Sequence, residues 1–211
     1  PGGRRAVEVV MAPDPCDVEA GDHLDPGGVG LARYPNEIRP EIALAACEAA
    51  IARAPEVARF HYQLGRARLA ALDAEGARAA FETAREMGYA RAWYAIGEII
   101  AAGDAGRAGD EDALASDDAL AHYAMGVDRG DPYAFHALGK QLLRYAPDDA
   151  MREQGYELLL RALEVGHTFA MNELGSFFLD EDAEHFDARR GLRYWRESAS
   201  RGDIYGFNNM G

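Results

Sequence analysis

The chain has 211 residues, with 36 Asp or Glu against 22 Lys or Arg, for a formal net charge of −14. A surface that acidic repels phosphate backbones and anionic headgroups, which argues against nucleic acid and membrane surfaces as partners. No run of about 18 apolar residues is present, so no membrane insertion is expected.

Residues 1–15 hold Gly2, Gly3, Pro13 and Pro15 with few large apolar groups, and are expected to form a flexible linker. From Cys16 to Arg39 the chain is rich in Gly, Pro and Asp (LDPGGVGLARYP), which predicts a strap packed irregularly over whatever follows. Pro40 then opens a helical run, EIALAACEAAIA, since its missing N–H would be unpaired in a first turn anyway. Residues 16–53 therefore read as an N-terminal strap and a capping helix. They contain both cysteines, Cys16 and Cys47. Two unrelated buried thiols are one reading. The even count, and a strap with little else to hold it, favour a disulfide between them, worth on the order of 3–4 kcal/mol in the chain-entropy model. A bonded pair implies a periplasmic or secreted protein, and free thiols a cytoplasmic one.

From residue 54 to 211 the chain repeats itself. The phrases HYQLG, WYAIG, FHALG, MNELG and FNNMG end at Gly65, Gly97, Gly139, Gly175 and Gly211, and a second glycine (Gly88, Gly130, Gly166, Gly202) precedes the last four at a constant distance. A period of roughly 30–45 residues marks an array of stacked units, here four repeats and the start of a fifth. The registers predict helix pairs near 56–72 and 74–87, 89–102 and 117–129, 131–144 and 148–165, and 167–179 and 187–201, with no strand.

Leu64, Ile96, Leu138, Leu174 and Met210 precede the phrase glycines, and His61, Trp93, Phe135, Met171 and Phe207 share their face. His61 in a slot otherwise held by large apolar groups reads as packing. Glycine inside a helix costs about 1 kcal/mol against alanine, so its recurrence predicts close approach of the partner helix. The second helices carry one large residue (Phe81, Tyr123, Leu159, Trp195) and one small (Ala77, Ala119, Gly155, Gly191) in fixed register, as interlocked helices require. Gly88, Gly130, Gly166 and Gly202 fit left-handed positions after a helix, and Asp117, Asp187 and Asp148 or Asp149 fit N-caps.

These units, clearest in ARAWYAIGEIIAAGDAG…DDALAHYAMGVDRG and FAMNELGSFFL…RRGLRYWRESASRG, resemble the Sel-like repeat (SLR) family, a relative of the tetratricopeptide repeat (TPR). The phrase ACEAAIARAPEVARFHYQLGRARLA is more TPR-like. With the CD…LDP segment before it, it is similar to the start of repeat regions in larger bacterial proteins, some with a caspase-like peptidase domain upstream. The third pair departs from the pattern, using Tyr145-Ala146-Pro147 where a Gly-x-Gly turn is usual. The resemblance implies an all-α fold, a right-handed α-solenoid of antiparallel helix pairs, acting as a non-enzymatic protein–protein interaction scaffold without a cofactor. The alternative is an accessory or regulatory region of a larger enzyme such as a caspase-like peptidase, its catalytic domain in the same polypeptide. A chain that opens PGGRR and stops in mid-repeat reads as a piece of a longer protein.

In such an array the first helices line the concave face. The residues expected to point into it are Arg59, Tyr62 and Arg66; Arg91, Tyr94 and Glu98; Tyr133, His136 and Lys140; Phe169, Asn172 and Ser176; and Tyr205 and Asn208. Arginines pair bidentately with carboxylates and stack on rings, so this row reads as a groove for an acidic segment of another protein, with Arg91 exposed at its centre. The plainer reading has the arginines solvating the face and the tyrosines packing between repeats. No His-Glu-x-x-His run occurs, so no metal site is expected. Cys47 lacks any recognisable nucleophile motif. The acidic clusters at Asp104–Asp112, Asp117–Asp118, Asp148–Asp149 and Asp180–Glu184 lack a calcium-hand loop and read as a solvated, helix-capping edge.

Overall fold

The computed structural model describes residues 13–108, 115–181 and 184–210. Most of the expected linker lies outside them, as do Asp110, Asp112, Asp182 and Gly211. Among the described residues no strand occurs. The helices are α1 Pro15–Ala20, α2 Pro40–Arg53, α3 Ala58–Ala70, α4 Ala74–Glu86, α5 Ala90–Ala108, α6 Asp117–Asp128, α7 Pro132–Tyr145, α8 Asp149–Glu164, α9 Phe169–Phe178, α10 Ala188–Ser200 and α11 Ile204–Met210. A 3₁₀ turn at Pro35–Glu37 precedes α2. The four expected pairs are α3/α4, α5/α6, α7/α8 and α9/α10. Each helix packs mainly on its neighbours in sequence, while α7 also touches the first helices on either side of it, α5 and α9. This is an α-solenoid of helix pairs.

The repeated glycines explain how the pairs lock. A Cβ on Gly97 would sit 2.6 Å from the Tyr123 ring, and one on Gly139 would sit 3.0 Å from Leu159. Gly65 faces Phe81 and Gly175 faces Trp195 in the same way. Each of these four phrase glycines is thus the hole for the large residue of its own second helix. The small position works in reverse, since a Cβ on Gly155 would lie 2.9 Å from the Gly139 carbonyl oxygen. Gly88, Gly130, Gly166 and Gly202 have φ of +86°, +77°, +91° and +86°, the left-handed conformation that ends each second helix.

Side-chain caps start the second helices. Asp148 and Asp187 accept from the N–H groups of Met151 and Arg190. Asp117 is not a cap: Ser116 takes that role, accepting from the Ala119 N–H, and Asp117 becomes the first helical residue, where its charge still meets the helix dipole favourably.

The strap is more ordered than expected. Asp14 and Asp17 form a reciprocal capping box and Pro15 fills the first turn, which is enough to start α1. Cys16 and Cys47 are bonded and both fully buried, in a core cluster with Ala20, Ala50, Phe60 and Leu64. Beyond α1 the chain runs out to Leu24, which reaches toward Gly166, and returns so that the Arg33 N–H donates to the Gly21 carbonyl at 2.9 Å. Close ends and a packed interior make residues 21–33 an Ω-shaped loop.

Candidate functional site: the concave face

This loop and α1 lie on the first helices and cover the N-terminal part of the row expected to face a groove. Asp17, fully buried, accepts from Arg59 Nε at 2.9 Å and Gln63 Nε2 at 3.0 Å. Tyr62 donates to Asp22, and Tyr89 to Asp25 at 2.6 Å. Arg66 reads main chain, donating to the carbonyls of Ala20 at 2.9 Å, Gly21, and Arg33 at 2.8 Å, with Asp22 at 3.4 Å completing its ion pairing.

Arg91 is the node. It donates to Asp22 at 3.0 Å, to the carbonyls of His23 at 3.2 Å and Leu24 at 2.7 Å, and to Asp131. Its guanidinium lies 4.0 Å from the centre of the Tyr133 ring. Asp131 in turn N-caps α7 through the N–H groups of Tyr133 and Ala134. The expectation that Arg91 is exposed is overturned, since its side chain has no solvent access. The cause is the strap, which lays two carbonyls and a carboxylate over the guanidinium.

The electrostatics follow from these contacts. Burial pulls the Arg91 guanidinium down, but Tyr62, Asp131 and Asp22 outweigh it, so Arg91 titrates above its ordinary range. Burial would raise the Asp17 carboxyl, yet hydrogen bonds from Arg59, Gln63 and the Asp14 N–H hold it below its ordinary value. Tyr133 is pushed up to about 12 by burial and then by Asp22.

The C-terminal half of the row is different. Tyr94 packs between Tyr123 and Tyr133, and Glu98 accepts from the Tyr123 hydroxyl at 2.6 Å. Asn172 donates to Asp203 at 2.8 Å. His136 stacks on His167 with ring centres 4.6 Å apart. Both rings of this pair titrate low: His136 through burial, then His167 and Lys140, and His167, held at about 4, through burial and then Arg91. Neither ring nitrogen of His167 has a hydrogen-bond partner, nor does Nε2 of His136. Ser176, Phe169, Tyr205 and Asn208 are exposed.

The row therefore divides. Arg59, Tyr62, Arg66 and Arg91 are saturated by the chain's own strap, Tyr94, Glu98 and Asn172 are engaged within the array itself, and His136 and Lys140 stand beyond the strap. Sequence reasoning missed Gln63, Tyr89 and the three strap carboxylates. The usable signal was the placement of Asp17, Asp22 and Asp25 in a segment tied by a disulfide to the capping helix α2. His61 Nε2 donates to the Pro55 carbonyl at 2.8 Å, which suits a packing role. Bonded to Cys16, Cys47 has no thiolate to offer, which removes the nucleophile reading. Among the described residues no cluster of three or more His, Cys, Asp or Glu could hold a metal ion.

No protein-family model matches the chain, and no curated protein matches it. Solved structures do. A protective antigen of uropathogenic Escherichia coli displaying an SLR fold superposes with a TM-score of 0.61 at 18% identity, over 81% of this chain and 36% of that one. A Sel1 repeat protein from Oxalobacter formigenes gives 0.58 at 17% identity, over 81% and 68%. An immunity protein from Pseudomonas aeruginosa gives 0.54 at 20% identity, over 82% and 62%. The chain thus spans about a third of the length of the first and about two thirds of the others. Likeness at these identities is likeness of fold: the SLR resemblance of the repeated phrases is matched by an SLR-like solenoid.

Proposed function

We propose that this chain is a non-enzymatic interaction scaffold which holds a segment of another protein on its concave face, beyond its own strap. One observation carries the reading: the row of first helices already grips the chain's own strap, through carboxylates and main-chain carbonyls set on arginines and phenols. A surface built that way binds polypeptide by geometry that a partner can also use. The SLR-like fold supports the same reading at the coarser level of a repeat scaffold. The buried disulfide supports an oxidising compartment, periplasmic or secreted. The alternative keeps the scaffold but places its partner in the same polypeptide, as a catalytic domain such as a caspase-like peptidase.

The test is affinity capture of a partner by the unaltered chain, followed by quantitative binding to two variants. Ser176→Arg alters the concave face and Gln154→Arg the opposite one, both at exposed positions. Loss of binding in the first alone supports the reading. Loss in the second alone moves the partner to the outer face.

A further inference from the structure

Resting on that reading, we infer that the stretch of concave face marked by His136, Lys140, His167, Phe169 and Tyr205 takes an extended, carboxylate-bearing segment of another protein, with the chemistry that the chain's own strap displays next to it.

The strap is the template. In the first repeat, the position three before the phrase glycine is Tyr62, which holds the Asp22 carboxylate. The position one after it is Arg66, which holds three strap carbonyls. The same two positions of the third repeat are His136 and Lys140, four residues apart on α7, and the strap turns back before it supplies them. Among the described residues no carboxylate pairs with Lys140, the chain's one lysine, whereas neighbouring Arg144 pairs with Glu173 at 2.9 Å. His167 is 3% exposed, yet both its ring nitrogens lack partners, and so does His136 Nε2 against which it stacks.

A neutral imidazole has one N–H to donate and one nitrogen to accept with, and leaving these buried and unmade is costly. A passing main chain supplies both complements, a carbonyl and an N–H. A carboxylate supplies the counter-charge for Lys140. Apolar contact is at hand: Phe169, 41% exposed, stands edge-on to His167 on one side and to Tyr205, 55% exposed, on the other. Donors without partners beside exposed rings are what the N-terminal half of the face would show if its strap were lifted away.

The probe is a synthetic peptide with the sequence of residues 14–34, Cys16 replaced by Ser, titrated into the isotope-labelled, disulfide-bonded full chain. Resonances of His136, Lys140, His167, Phe169 and Tyr205 are expected to shift. Lys140→Glu, at a partly exposed site that does not threaten folding, is expected to weaken the peptide at least tenfold. A peptide with Asn for Asp17, Asp22 and Asp25 is expected to weaken as much, and needs no protein variant. Equal affinity for Lys140→Glu, equal affinity of the Asn peptide, shifts confined to the strap and α3, or no shifts up to millimolar peptide would each overturn the inference. A photo-crosslinker at Ser176 or at Gln154 separates this failure from that of the scaffold reading. Partner crosslinks from Gln154 alone leave a scaffold and overturn the inference. Crosslinks from neither position overturn both.

Discussion

At the scale of single residues, Arg91 shows why a sequence pattern finds a position without finding its environment. Its register on α5 placed it on the inner face. Its burial depends on Asp22, 69 residues away in sequence, and on Asp131, 40 residues away. No local periodicity reports contacts that distant. The phrase glycines were legible for the opposite reason, because hole and knob recur together in every repeat. Arg91→Ala would leave Asp131 buried without its counter-charge, and breaking such a pair typically costs about 3–5 kcal/mol. Urea unfolding is expected to show a loss of that order, against less than about 1 kcal/mol for Arg78→Ala, whose i,i+4 pair with Glu82 is half-exposed. A mild effect at Arg91 would mean that the strap does not seal it.

His167 carries a pH signature. Its folded-state value of about 4 lies below the ordinary 6.5, so between these pH values the unfolded chain takes up a proton that the folded chain refuses. Stability therefore falls as pH drops from 6.5 to 4, by up to about 3 kcal/mol from this group, and the group contributes no pH dependence above 7. His167→Phe keeps the ring and removes the titration. Its unfolding free energy is expected to vary less over that window, and an unchanged slope would place the pH dependence elsewhere.

At the scale of elements, most ends of the helix pairs were readable to within two residues, because each helix is long enough to show its period and ends on a glycine or a cap; α5 runs to Ala108, past the expected end at 102. The sequence pattern did not announce α1, whose six residues span too little for periodicity. Its visible trace was Asp14-Pro15-Cys16-Asp17, a cap, a first-turn proline and the reciprocal acid. The disulfide fixes this short helix against α2. Replacing both Cys16 and Cys47 by Ser is expected to lower stability by about 3–4 kcal/mol, measured by denaturant unfolding beside the unaltered chain. A smaller loss would show that Asp17 and Asp22 hold the strap on their own. The α3–α4 turn holds Leu72 at φ +62°, 93% exposed, in a left-handed conformation that favours glycine. Left-handed backbone costs a residue with a Cβ about 1–2 kcal/mol, so Leu72→Gly is expected to raise the melting temperature by a few degrees despite the added freedom of the unfolded chain. A lower melting temperature would show that the leucine packs in a way its exposure does not suggest.

At the scale of the molecule, the strap changes what the array is. An open solenoid is held together by nearest-neighbour contacts alone. Here the strap, α1 and the loop after it, touches α3 through Asp17, α5 through Asp22 and the α8–α9 turn through Leu24, so that successive repeats share a common tie. The fold was legible because repetition averages out local ambiguity. The occupied half of the groove was not, because a Gly- and Pro-rich segment has no period to follow and its destination is set by ion pairs formed only in the folded array. That destination is directly measurable. In nuclear Overhauser spectra of the labelled chain, the Leu24 methyls are expected to give cross-peaks to the Gly166 Hα protons, and the Tyr89 ring to those of Gly27, whose Cβ position lies 2.5 Å from that ring. Leu24 methyls that show cross-peaks only to their own neighbours in sequence would contradict the plugged groove and return Arg91 to solvent.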